Sequence, residues 1–227
     1  LVDMSFYTLF PHLQELLPDL MEAFWQTMIM VGVSFSVCGV IGLPLGVLLV
    51  ALKEPQLYKR EVLYHVISTV IDLFRSTPTL ILITAITPFT KVVMGTKIGV
   101  KGAIVPLVIA SVPFLARQVE AALSKVDSGV IEAAKSMGDN RMTILVRVLL
   151  SESFAGIINA FTITFVSLIN FSAVAGAVGG GGLGDFALRY GYQQFKTDIM
   201  TITVIILLAL VTIVQMFGRA IAKKVGH

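Results

Sequence analysis

The chain has 227 residues, 56% hydrophobic and only 14% charged, with a formal net charge of +3 and a mean hydropathy of +0.89. A soluble domain carries roughly 25% charged residues, so the composition excludes a soluble enzyme and marks a membrane protein. The basic residues lie between apolar segments rather than in one patch, which argues against nucleic acid. The single Cys38 excludes an internal disulfide, and the scattered His12, His65 and His227 offer no metal cluster.

The start of the chain lacks the basic–apolar–small-residue pattern of a secretory signal. Because it begins at Leu1, the natural start is expected to be missing or altered. Residues 6–22 mix Phe6, Phe10, Leu13, Leu16, Leu17 and Leu20 with Glu15, Asp19 and Glu22. This reads as an interfacial, partly helical lead-in broken by Pro11 and Pro18, so residues 1–23 are set apart as an N-terminal segment.

Five apolar segments follow. The first, from Ala23 to Leu52, is uncharged and ample for one crossing, which needs about 20 residues. The second is centred on 76–90 and the third on 102–116. Their charge-free cores are short, so they are expected to extend through Ile71–Arg75 and Arg117–Ala122, with the basic side chains reaching the interface. The fourth runs from after Glu152 to about Val178, and the fifth covers 199–218. The reading is an all-α membrane protein with five transmembrane helices, a membrane domain over 24–218 and a basic tail over 219–227.

Five crossings put the termini on opposite sides. With the C-terminus inside, Lys53, Lys59, Arg60, Arg117, Lys125, Lys135, Arg141, Arg147, Arg219, Lys223 and Lys224 are cytoplasmic, against Lys91, Lys97, Lys101, Arg189 and Lys196 outside. The positive-inside rule favours this orientation, N-terminus outside and C-terminus cytoplasmic. It places the loop 123–152 in the cytoplasm.

That loop is a polar insert in an apolar chain. Asp127 and Ser128 are good N-caps, and Glu132 is expected in the first turn, at the positive end of the helix dipole. Gly138 suits a left-handed stop, and Asp139 or Asn140 can cap a second helix from about Arg141, with Ile144, Leu145, Val148 and Leu149 at helical spacing. The periodicity fits a connector lying on the membrane about as well as a docking element. The small residues Ala133, Ala134 and Gly138 would let another protein approach the backbone closely.

Here the sequence resembles a family. Glu132-Ala133-Ala134, three residues and then Gly138 is similar to the EAA loop of ABC importer permeases; the proline of the family pattern is Ser151 here. Phe74-Arg75-Ser76-Thr77-Pro78 resembles a permease helix start. Asn170-Phe171-Ser172-Ala173-Val174-Ala175-Gly176-Ala177-Val178, the run Gly179 to Gly182 with Leu183-Gly184, Arg189-Tyr190-Gly191-Tyr192, and Gly102-Ala103-Ile104-Val105-Pro106-Leu107 resemble the permease subunits of methionine importers.

The resemblance implies a type I ABC importer permease fold in the cell (inner) membrane and a chain that does no bond chemistry itself. It implies three partners: a second copy, a cytoplasmic ATPase that binds the ATP and magnesium, and an extracytoplasmic methionine-binding protein or lipoprotein. It also implies that Glu132, Ala133, Ala134, Met137 and Gly138 form the coupling helix. No cofactor is expected in this chain. A permease for another small solute, and a membrane subunit that only scaffolds a partner, stay open.

Other signals weigh less. Gly179, Gly181 and Gly184 satisfy G-x-G-x-x-G, but a dinucleotide site needs a βαβ unit; a compact or re-entrant corner at the end of the fourth span is expected instead. No G-x-x-x-x-G-K-[ST] occurs, so an ATPase must be a separate chain. Gly42 and Gly46 form a G-x-x-x-G that permits close helix packing. Asp72 and Arg75 are expected to pair locally. Few polar residues lie deep in the spans, which argues against a proton- or sodium-coupled carrier. Asn170 and Ser172, beside Phe171, are the candidates for the translocation path.

Overall fold

The computed structural model describes residues 10–55 and 57–225, and among these it is helical throughout, without strands. The helices are α1 (Leu13–Lys53), α2 (Glu61–Ser76), α3 (Thr79–Met94), α4 (Gly99–Leu123) and α5 (Ser128–Ser136). They continue with α6 (Arg141–Thr143), a π-helical stretch (Ile144–Leu149), α7 (Leu150–Glu152) and α8 (Phe154–Ala177). The last are α9 (Gly182–Phe186), a second π-helical stretch (Ala187–Tyr192) and α10 (Thr197–Val225).

Among the described residues, α1, α4, α8 and α10 are long and apolar enough to cross a membrane, and α2 with α3 makes a fifth crossing if that bent pair counts as one. The second span expected from the sequence is therefore broken. Thr77 is extended (φ −74°, ψ 126°) and Pro78 follows it at the start of α3. A residue before proline is pushed out of the helical region, and the helix ends there.

The lead-in differs from expectation in the opposite direction. Pro18 lies inside α1, which is continuous from Leu13 through residues 23 and 24. Pro18 is the sixth residue of α1, past the first turn, so it removes the bond to the Gln14 carbonyl; burial of Leu13, Leu16 and Leu20 around it offsets that loss. Leu13, Leu16, Leu20 and Ala23 are buried against Leu183, Phe186 and Ile199, so this stretch is core rather than interfacial surface. The expectations for Phe6 and its neighbours through residue 9 lie outside the described residues. At the other end α10 carries the basic residues Arg219, Lys223 and Lys224 in the same continuous helix.

The chain forms two compact units. Among the described residues, one comprises the chain up to Phe35 with Pro78–Val108 and Val166–Ile213; the other comprises Ser36–Thr77, Ile109–Phe165 and the chain from Val214. The first is built on the cluster just described. His12 anchors it: its backbone N–H donates to Asp198 Oδ2 at 3.0 Å, and its Nδ1 lies 3.1 Å from Asp198 Oδ1. The second has a core of Val50, Leu115, Val119, Leu123, Ile131, Ala134, Ile144, Leu145 and Leu149. Here the G-x-x-x-G is used for close approach: a Cβ on Gly46 would lie 2.7 Å from the Ala116 carbonyl oxygen, so α1 and α4 pack backbone to backbone. Val204, Leu208, Met216 and Phe217 of α10 are exposed apolar side chains, a surface suited to hydrocarbon.

Candidate functional site

The polar insert is a locally specified unit. Asp127 is extended (φ −60°, ψ 132°), and its Oδ1 accepts from the Gly129 N–H at 2.6 Å, which caps α5. At the other end the Gly138 N–H donates to the Lys135 carbonyl (3.1 Å) and the Asp139 N–H to the Ala134 carbonyl (3.2 Å). Gly138 sits at φ +93°. This is the paired helix stop that left-handed glycine permits. Asn140, rather than Asp139, caps the next helix: its Oδ1 accepts from the Thr143 N–H at 2.8 Å and from the Thr143 hydroxyl at 3.1 Å. The second helix of the insert carries a wider turn, with the Leu150 N–H bonded to the Leu145 carbonyl five residues back.

The faces of α5 divide cleanly. Ile131 and Ala134 are buried at 3% and 2% exposure and pack with Ile144, Leu145 and Leu149. Glu132, Ala133, Met137 and Gly138 are exposed, Met137 to 78%. Of the two alanines, then, Ala133 faces outward, while Ala134 seats the helix on its own unit. Glu132 is the fifth residue of α5, not in its first turn, because the helix starts as early as Ser128; Asp127 meets the amide end instead.

A charged network joins α2 to α4 in the same unit and was not anticipated as a whole. The expected Asp72–Arg75 pair is present at 3.5 Å. Asp72 is held more closely by Arg117 of α4, whose Nε and Nη2 donate to its two carboxylate oxygens at 3.1 and 2.7 Å. Arg117 also donates to Glu120 at 2.5 Å and to the hydroxyl and carbonyl oxygens of Ser68. Tyr64 donates to Glu120 at 2.8 Å, and Glu120 is 6% exposed. A bidentate arginine with every neighbour hydrogen-bonded is the form in which buried charge is tolerated. The Arg-x-x-Glu spacing at the end of a span was the available signal; that Asp72 faces it depends on the packing of α2 on α4.

In the other unit the glycine run forms the expected compact corner. Gly182 has φ +77°, its N–H donates to Gln26 Oε1 at 2.8 Å, and the Leu183 N–H donates to the Thr27 hydroxyl at 2.8 Å. A Cβ on Gly184 would lie 2.4 Å from the Ala173 carbonyl oxygen, so the chain folds back on α8 at backbone contact. Tyr190 donates to Asp19 at 2.8 Å, which raises the phenol pKa, and the hydrogen bond and charge of Asp185 raise that of Arg189. Of the path candidates, Asn170 is exposed and Phe171 half-buried. Ser172 is buried, and its hydroxyl donates to the Ile169 carbonyl at 2.7 Å.

Comparison with known proteins decides the family. The family described as "Binding-protein-dependent transport system inner membrane component" matches residues 20–227. The chain belongs to this family. It is thus an inner-membrane transport component, and the family is one of transport subunits rather than enzymes. The chain is 45% identical over 208 residues to the "Probable D-methionine transport system permease protein MetI" of Vibrio cholerae, covering 92% of each chain. It is 43% identical over 176 residues to the "Methionine import system permease protein MetP" of Bacillus subtilis, covering 78% of this chain and 79% of that one. Among solved structures, a chain of the MetNI methionine ABC transporter in an inward-facing conformation superposes with a TM-score of 0.88 at 41% identity, covering 92% of this chain and 96% of that chain. The ABC importer permease fold expected from the sequence is the fold of this family member.

Proposed function

We propose that this chain is the permease subunit of an ATP-driven methionine importer. The observation that carries the reading is an outward-facing helix, α5, capped at both ends, in a family member whose relatives are methionine permeases. In this reading Glu132, Ala133, Met137 and Gly138 present the coupling surface to a cytoplasmic ATPase, and Ala134 fixes the helix to its own unit. The exposed Met137 supplies the apolar contact, and Ala133 allows close approach. Movement of the ATPase would then reach α2 and α4 as a push on a packed body.

Further parts of the proposal are a second copy completing the pathway and an extracytoplasmic binding protein delivering the substrate. The N-terminus is outside and the C-terminus cytoplasmic, an orientation supported by the distribution of basic residues. ATP and magnesium belong to the ATPase. Asn170 supports a place on the path, since an exposed amide in an apolar helix calls for water, substrate or a partner helix rather than lipid. Ser172, beside Phe171, is the second candidate on the same helix.

The test is uptake of labelled methionine by cells lacking their own methionine importers. They would express this chain with its ATPase and binding protein, alongside a Glu132→Lys variant. Saturable uptake that needs all three proteins and falls at least tenfold in the variant, at equal membrane level, is expected. Assembly and ATP hydrolysis without methionine uptake would move the substrate to another small solute. Undiminished uptake by the variant would remove Glu132 from the coupling surface.

A further inference from the structure

The C-terminal end of α1, the turn after it and the second helix of the insert enclose a groove of about 620 Å³ within one unit. Leu43, Val47, Leu48, Leu63, Leu145 and Leu150 line it, with Tyr58 and Arg60 as its polar members. From Leu43 to Leu52 the α1 wall rises about 14 Å at 1.5 Å per residue. That is close to one leaflet of a hydrocarbon core roughly 30 Å thick. The wall ends where charge begins, at Lys53.

The charge around that end is mainly basic: Lys53, Lys59, Arg60 and Arg141 stand against Glu54 and Glu61. Arg141 stacks over the Tyr58 ring at 5.3 Å. Lys59 is 4.0 Å from Glu61. Arg60 is exposed, and its guanidinium has no hydrogen bond or ion pair among the described residues; only its backbone is engaged, with Leu52 and Tyr64. Arg60 and Leu63 also line a second open concavity with Lys59, Glu61, Val62 and Val66. An apolar trough about one leaflet deep therefore opens onto Arg60, whose guanidinium has no partner among the described residues.

We propose that this groove binds an anionic phospholipid of the bilayer, with an acyl chain along α1 and the phosphate at Arg60. Hydrocarbon alone would fill the trough but leave the guanidinium unmatched; a phosphate accepts from it in a forked, charge-assisted pair. A water-soluble partner would have to enter hydrocarbon to reach Leu43.

Photolabelling of the purified permease complex in phosphatidylcholine vesicles tests this. The probes are phosphatidylglycerol and phosphatidylcholine, each with a photoactivatable diazirine on one acyl chain, and adducts are mapped by peptide mass spectrometry. The phosphatidylglycerol probe is expected to label 43–63 and 142–150 about fivefold more than the phosphatidylcholine probe, the gain from one basic side chain at a membrane surface. Arg60→Gln is expected to abolish that preference while labelling of α10 stays unchanged. Equal labelling by the two probes, or a preference that survives Arg60→Gln, overturns the proposal. Absence of groove labelling by either probe also overturns it, since a protein surface then covers the groove.

Discussion

Gly138 and Gly184 both mark places where an apolar chain changes direction, and they do so for opposite reasons. Gly138 is required by its backbone: φ is +93°, and a Cβ there would meet nothing within 4 Å. Gly184 is required by its neighbour, the Ala173 carbonyl oxygen at 2.4 Å from an added Cβ. The insert is therefore an elbow with open space around it, and the corner is a close-packed fold-back. An elbow with free space can be read by another protein. A corner with none belongs to the structural framework.

The largest effect is expected where the contrast is steric. Gly184→Val drives side-chain carbon into a backbone carbonyl, and overpacking costs about 1–3 kcal/mol or more. Loss of the protein from the membrane fraction, read by immunoblot, is the expected outcome; a normal level would show that the corner yields. Thr27→Val comes next. It keeps the shape but removes the hydroxyl that accepts from the buried Leu183 N–H, and an orphaned buried donor costs about 1–3 kcal/mol. A lowered melting temperature of the purified complex, with residual uptake intact at low temperature, is expected.

On the insert side, Gly138→Val forces a β-branched residue into the left-handed region at about 1–2 kcal/mol. The space around it is open, so the protein stays in the membrane while uptake falls severalfold. Uptake and level falling together would make the elbow structural and erase the contrast with Gly184. The smallest effect is Asp127→Ala, which removes the cap of α5 for about 1 kcal/mol. Faster proteolysis within 127–140 is its expected sign, with little change in the melting temperature of the whole complex.

Elements specified by local chemistry were legible in the sequence. Asp127, Gly138 and Asn140 act within a few residues of themselves, so cap, stop and second cap could be assigned without knowing the fold. The long apolar runs likewise announced α1, α4, α8 and α10. Pro18 and Pro78 were harder. The same residue is absorbed in one case and breaks a helix in the other, and the difference lies in what surrounds it. Leu13, Leu16 and Leu20 looked like an interfacial face because their cover, Leu183, Phe186 and Ile199, is more than 160 residues away along the chain.

The candidate site divides along the same line. Its position, its polarity and the glycine elbow followed from sequence. That Ala134 turns inward while Ala133 stays outside required the surface on which α5 lies.

By itself the sequence determined the class of the protein: a helical membrane chain, its long spans, a capped polar insert and the family pattern within it. Hydrophobic run length and capping depend on neighbours in sequence, and a reader of residues sees them directly. Only the tertiary structure decided that Arg117 holds Asp72, Glu120 and Ser68 at once, and that Thr27 satisfies the glycine corner. It also decided that a trough beside α1 ends at Arg60, whose guanidinium has no partner among the described residues. Those are contacts between segments far apart in the chain, and only packing brings such groups within hydrogen-bonding distance.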